Sequence, residues 1–178
     1  MTFFSGVVRT ETDQVKQNTS INQAIQYLNT LQNCRIYLNS SQTGNAVNAF
    51  TKINFDTVDF DPFGIADVAT NHRITPTVAG TYFVTVTCDN QTSVAYATTS
   101  AGASGVSKNG TRVQGQTLAV FSTGANGECF CQTSCLVQVN GTTDFIEGLG
   151  SALAASGTVN FMASGKTGTT MSLFRVGP

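Results

Sequence analysis

Charge is what this chain is short of. Lysine, arginine, aspartate and glutamate together make up 11% of its 178 residues, where an ordinary soluble domain carries about 25%. Glycine, serine, threonine and asparagine stand in those places. Such a surface is polar yet nearly neutral, and neutral hydroxyl and amide groups are easier to desolvate than lysine or glutamate, which suits packing against other protein. Nine basic residues scattered singly, with a formal net charge of −1, leave no electrostatic footprint for nucleic acid. Long apolar runs are also missing, since no stretch approaches the ~20 apolar residues of a membrane-spanning helix. The opening Met-Thr-Phe-Phe-Ser-Gly has neither a basic region nor an apolar run of signal-peptide length, so the expectation is synthesis and folding in a cytoplasm. Histidine occurs once, as His72.

What is present reads as strands. At 18.7 kDa the chain fits one domain with a short extension, and a core of this size buries roughly 70% of its unfolded surface without help from metal or disulfide. Residues 71–88 set the pattern: Ile74, Pro76 and Val78 alternate, Ala79-Gly80 offers a turn, and Tyr82, Val84, Val86 and Cys88 alternate again. Period 2 across a glycine predicts two half-buried antiparallel strands, with Phe83 and the threonines on the other face. Further strands are expected at 34–39, 50–60, 93–99, 106–113 (with Asn109-Gly110 as a hairpin turn), 117–122, 129–139, 144–149 and 171–176. Segments 40–45, 61–64, 102–105, 124–127 and 151–157 read as turns or loops. About nine short strands with no helix between them indicate a sandwich or barrel. Ahead of them, Ile21, Ala24, Ile25, Leu28 and Leu31 recur at spacings of three and four, a helical stripe within 13–33 with Asn18-Thr19-Ser20 as its N-cap. That stripe needs cover, either from its own sandwich or from a three-fold bundle of such helices. Phe3 and Phe4, paired near the start, suggest docking onto a partner.

Candidate chemistry is sparse. Cys129, Cys131 and Cys135 share parity with Val137 and Val139, so on one strand all five point to one core face and the cysteines act as small hydrophobes. The zinc spacing rule is not met, and five cysteines, an odd number, argue for free buried thiols more than for a disulfide. Asp56, Asp59, Asp61 and Asp67 are weak calcium candidates, carboxylates near turns but without a fixed loop pattern. His72 has no nucleophile motif beside it. Asp144 and Glu147 have opposite parity and cannot form a carboxylate pair on one strand. No catalytic residue, metal or cofactor is assigned, and no enzyme activity is expected.

Three stretches carry a resemblance: Phe55-Asp56-Thr57-Val58-Asp59-Phe60-Asp61, then Asn71 to Arg73, then Ile74-Thr75-Pro76-Thr77-Val78-Ala79-Gly80-Thr81-Tyr82. Lys108-Asn109-Gly110 and the closing Met171-Ser172-Leu173-Phe174-Arg175-Val176 extend it. The pattern resembles the C1q/TNF-like jelly roll, and in particular the C1q-like structural proteins of tailed bacteriophages. There is no collagen-like Gly-x-y stalk, and the family's usual Gly-Asp before the penultimate strand is replaced by Gly141-Thr142-Thr143-Asp144. The resemblance implies an all-β, two-sheet jelly-roll sandwich over 34–178, trimeric, with apolar and aromatic residues of one sheet along the three-fold axis. Tyr82 and Phe174 are the core or axis candidates. Residues 1–33 become an anchoring and oligomerisation extension, with Phe3, Phe4, Ile21, Ile25 and Leu28 as its contact residues. The function implied is that of a virion structural protein, a capsid decoration (cement) protein or head fibre bound to the major capsid protein. A tail-fibre or receptor-binding tip is the alternative, and a secreted C1q-like lectin the third.

Overall fold

The computed structural model describes residues 11–93, 101–115, 119–120, 127–154 and 156–178. Phe3, Phe4, the side chain of Leu28, the strand expected at 93–99 beyond its first residue, and most of 117–122 and 124–127 lie outside the described residues. The chain divides into two units, Met1–Leu31 and Gln32–Pro178.

The first unit contains one helix, α1 (Glu11–Asn29), with Glu11 and Asp13 in its first turn, where carboxylates favour the helix dipole. It does not begin at Asn18-Thr19-Ser20. Thr19 Oγ1 and Ser20 Oγ donate to the carbonyls of Val15 (2.9 Å) and Lys16 (3.1 Å) one turn back, inside a continuous helix. Serine and threonine make this bond in a helix interior as readily as they cap one, so composition alone does not separate the two uses.

The second unit is a sandwich of two seven-stranded sheets. Sheet one contains β1 (Asn33–Tyr37), β2 (Gln42–Ala46), β4 (Thr57–Phe60), β7 (Gly80–Thr92), β11 (Glu128–Val139), β13 (Thr158–Phe161) and β14 (Thr170–Gly177). Sheet two contains β3 (Thr51–Lys52), β5 (Ala66–Asp67), β6 (Arg73–Ile74), β8 (Ala101–Lys108), β9 (Thr111–Gln114), β10 (Ala119–Val120) and β12 (Ile146–Leu153). The spine of sheet one is β7, which pairs with β11 from Gly80↔Val139 to Gln91↔Glu128 and on its other side with β14 and then β13. Tyr82, Val84, Val86 and Cys88 point inward and are fully buried, as the alternation predicts. On β11 the buried parity runs through Cys129, Cys131, Val137 and Val139, with Cys135 half-buried, and all five cysteines of the chain are unbridged. Asn109 (φ 54°) and Gly110 (φ 76°) form the β8–β9 hairpin turn, both in the left-handed region that Asn-Gly favours.

Several expectations fail for one reason: parity tells which face a residue takes but not which sheet its strand joins. Residues 72–88 are not a hairpin. Ile74 lies on β6 in sheet two and Tyr82 on β7 in sheet one, so Ala79-Gly80 marks a crossing between sheets. The chain between them has no ladder partner because Gln32 occupies it. Gln32 Oε1 accepts from the backbone N–H of Thr77 (3.0 Å) and Val78 (3.2 Å) and from Tyr82 Oη (2.8 Å). Pro76 has no N–H to give. Gln32 is itself buried, so the sandwich starts one residue before the first strand. The single strand expected over 50–60 is two, β3 in sheet two and β4 in sheet one. Segment 102–105, expected as a loop, is buried within β8, and β13 was not anticipated. Between the sheets, Gly148 and Gly150 of β12 leave room for Phe55 and Phe161. A Cβ on Gly148 would lie 2.8 Å from Phe55, and one on Gly150 2.6 Å from Phe161.

Candidate assembly surface

Because Tyr82, Val84 and Val86 point into the core, Phe83, Thr85 and Thr87 must point out of sheet one. Register then assembles a surface. Phe83 sits opposite Leu136 on β11 and Phe174 on β14, and the Phe83 and Phe174 rings pack with centroids 5.4 Å apart. One row further on, Thr85 lies between Ser134 and Ser172, with Thr85 Oγ1 and Ser134 Oγ 3.0 Å apart. Ser172 continues to Arg35 on β1, and Arg35 to Phe60 on β4. Leu136 is 64% exposed, Phe130 52%, Phe174 49% and Phe60 46%. Near the centre of this face Arg35, Phe60, Thr85, Thr87, Ser172 and Phe174 line a shallow depression of about 500 Å³. The charge that Arg35 brings to this depression is paired: Arg35 lies 3.5 Å from Asp59, and Lys166 pairs with the same carboxylate. A face that combines half-exposed aromatics with serine and threonine hydroxyls is built to meet protein.

The outer side of sheet two is different. Lys52 Nζ lies 2.5 Å from Glu147 Oε1, and Ser107 Oγ donates to Glu147 Oε2 at 3.0 Å. Arg112 stacks over Phe50 at 4.3 Å and Arg73 over Phe145 at 4.1 Å. At the end of the sandwich Lys108 meets Asp144 at 2.8 Å. The hydrogen bond from Lys108, with help from Asn109, holds the Asp144 carboxyl down to about 2.

The sequence candidates distribute unevenly over this geometry. Phe174 is on the exposed face. Tyr82 is fully buried in the chain's own core, where its hydroxyl donates to Gln32 Oε1 and the Val78 carbonyl (2.9 Å), and burial raises its pKa to about 12. Ile21 and Ile25 are about half exposed on α1, at 48% and 49%. The four aspartates are not brought together. Asp56 accepts from Asn39 N and Ser40 N, Asp61 from Ile65 N and Ala66 N, Asp67 from Thr70 N and Asn71, while Asp59 takes the two cations named above. Among the described residues no group of three or more acidic, histidine or cysteine side chains converges as metal ligands do. His72, at φ 47°, places Nδ1 2.8 Å from the Phe55 carbonyl and serves the turn it sits in. Phe83, Leu136, Phe60 and Phe130 carry most of the exposed face, and sequence reasoning did not name them as site residues. Parity was the signal available for Phe83, Leu136 and Phe130, each out of phase with the core positions of its own strand, while Phe60 lies on a strand with no buried position.

No family model and no curated protein matches this chain. Solved structures do. Murine APRIL at pH 5.0 superposes with a TM-score of 0.53 at 10% identity, covering 82% of this chain and 99% of that one. The fold is a TNF-like jelly roll. Murine APRIL at pH 8.0 gives a TM-score of 0.50 at 13% identity over 82% and 99% of the two chains. Eiger TNF from S. frugiperda is similar at a TM-score of 0.48 and 11% identity, over 82% and 92%. Identities this low establish architecture and nothing about activity.

Proposed function

We propose that this protein is a homotrimeric structural subunit of a virus particle, most specifically a capsid decoration (cement) protein or head fibre of a tailed bacteriophage. The observation that carries the assembly part is the outer face of sheet one, with its exposed aromatics, hydroxyl rows and few, paired charges. Three-fold closure needs a surface with two unlike patches, so that each copy offers one to the next. Phe130 and Leu136, exposed at separate points along an edge strand of this sheet, are the apolar groups one copy offers, and the depression between Arg35, Phe60 and Phe174 receives them. The virion part rests on the sequence resemblance and on a surface with so little charge, which suits permanent contact within a shell. Residues 1–33, with Phe3, Phe4, Ile21, Ile25 and Leu28, fasten the trimer to the major capsid protein or to a neighbouring copy.

Two measurements test this. Light scattering of the purified full-length chain gives three times the chain mass, and a monomer would remove the assembly reading. Quantitative mass spectrometry of purified particles gives copies in the hundreds per particle. A handful of copies would move the protein to a tail fibre or receptor-binding tip, and absence would sink the virion reading.

A further inference from the structure

Asp89 is a carboxylate enclosed without a counter-charge among the described residues. It lies on the outer face of β7 and is fully buried because segment 162–169 folds over it. Its backbone N–H donates to Thr169 Oγ1 (3.1 Å), Thr169 Oγ1 donates to the Met162 carbonyl (2.8 Å), and Met162 N–H donates back to the Asp89 carbonyl (2.8 Å). Of the two carboxylate oxygens, Oδ2 accepts from Ser164 Oγ at 3.3 Å, while Oδ1 is buried with no hydrogen-bond partner among the described residues. Pairing of Asp89 with Phe130 and of Gln91 with Glu128 places Glu128 diagonally beside Asp89 on the same face, with its carboxyl within hydrogen-bond reach.

Two carboxylates are both acceptors, so a shared proton, a bridging water or a cation is needed to join them. Burial and then the neighbouring Glu128 push the Asp89 carboxyl above the usual carboxylate range. Asp56, Asp61 and Asp67 have their donors supplied by backbone, whereas Asp89 does not. The ligand types here are all oxygen, the chemistry of hard divalent ions.

We propose that Asp89 and Glu128, with the Ser164 hydroxyl, form a binding site for a hard divalent cation such as Ca²⁺ or Mg²⁺. With only two carboxylates the ion keeps several waters and binds more weakly than in a site with three or more. Bound there, it ties β7, β11 and segment 162–169 together at the margin of the exposed face.

The test uses the full-length chain, stripped with a chelator and titrated with CaCl₂ and MgCl₂ at pH 7.5, by calorimetry and by thermal melting. The expected result is one ion per chain and a Tm that climbs with cation concentration. Glu128→Gln and Asp89→Asn each weaken binding by about tenfold or more. Without cation, Asp89→Asn melts above the parent at this pH, because an amide replaces a repelled buried charge. No binding heat with no Tm shift overturns the proposal, as does binding that both variants leave unchanged. Glu128 is on an exposed strand position, so its variant decides the matter should Asp89→Asn fail to fold.

Discussion

The two outer faces of this sandwich differ in how they dispose of side chains the core does not take. On sheet two, large polar and aromatic groups of the described residues meet within the chain: Lys52 with Glu147, Arg112 with Phe50, Arg73 with Phe145. On sheet one, Phe83 and Phe174 have each other, yet Phe174, Leu136, Phe130 and Phe60 remain about half exposed or more. Both faces belong to the same fold and both are poor in charge, so composition does not explain the contrast. What separates them is closure. Segment 47–52 brings Phe50 against the second sheet, whereas among the described residues of the sandwich the centre of the first has no such cover. A face left open in this manner is completed by another chain or by none, and the aromatics make the second alternative costly.

The most forceful way to break that contrast is to put charge on the open face. Leu136→Asp combined with Phe174→Asp buries an unpaired carboxylate at each contact, which weakens association by about 3–5 kcal/mol. Sedimentation velocity then shows monomers at concentrations where the parent is assembled. Circular dichroism stays unchanged, since both side chains lie outside the core. Assembly that survives the double substitution would mean that the open face is not the interface.

Tyr82→Phe separates the chain's own stability from its assembly. Tyr82 Oη holds Gln32 Oε1 and the Val78 carbonyl, and the phenylalanine leaves those buried acceptors short of a donor. The expected loss is about 1–2 kcal/mol in denaturant unfolding, with the oligomeric state unchanged at saturating concentration. A drop in association without a drop in stability would place the Gln32 knot in the interface instead.

How much of this was legible beforehand follows from what each signal encodes. Alternation placed Tyr82, Val84, Val86 and Cys88 inside and Phe83 outside, and the same parity aligned Cys129, Cys131, Val137 and Val139 on the core face. Asn109-Gly110 specified its hairpin by backbone conformation alone. Sheet membership was not legible, because the hydrogen bonds that decide it come from residues far away in sequence. Gln32 reaches Thr77 and Val78 across 45 and 46 positions. Segment 102–105 looked like a loop because Gly-Ala-Ser-Gly lacks bulk, yet β8 is buried on both sides and small residues are what such a crowded position admits. The open face was half visible: Phe174 was a candidate, and Leu136 needed only the same parity argument, whereas Phe60 sits on a strand with no buried position to set its phase.

The mildest test addresses the closed face. Arg112 lies on β9, an exposed strand, with its guanidinium 4.3 Å above the Phe50 ring. At such an exposed position a cation–π contact contributes about 0.5–1 kcal/mol, part of it from packing of the side-chain stem. Arg112→Ala therefore lowers stability by about that amount, read as a small shift in the urea midpoint. Association does not change, because the contact Arg112 loses lies within its own chain. Arg112→Lys recovers part of the loss by restoring the charge without the planar stack. An Arg112→Ala chain that unfolds normally but no longer assembles would put sheet two in the interface, and the difference between the two faces would then need another cause.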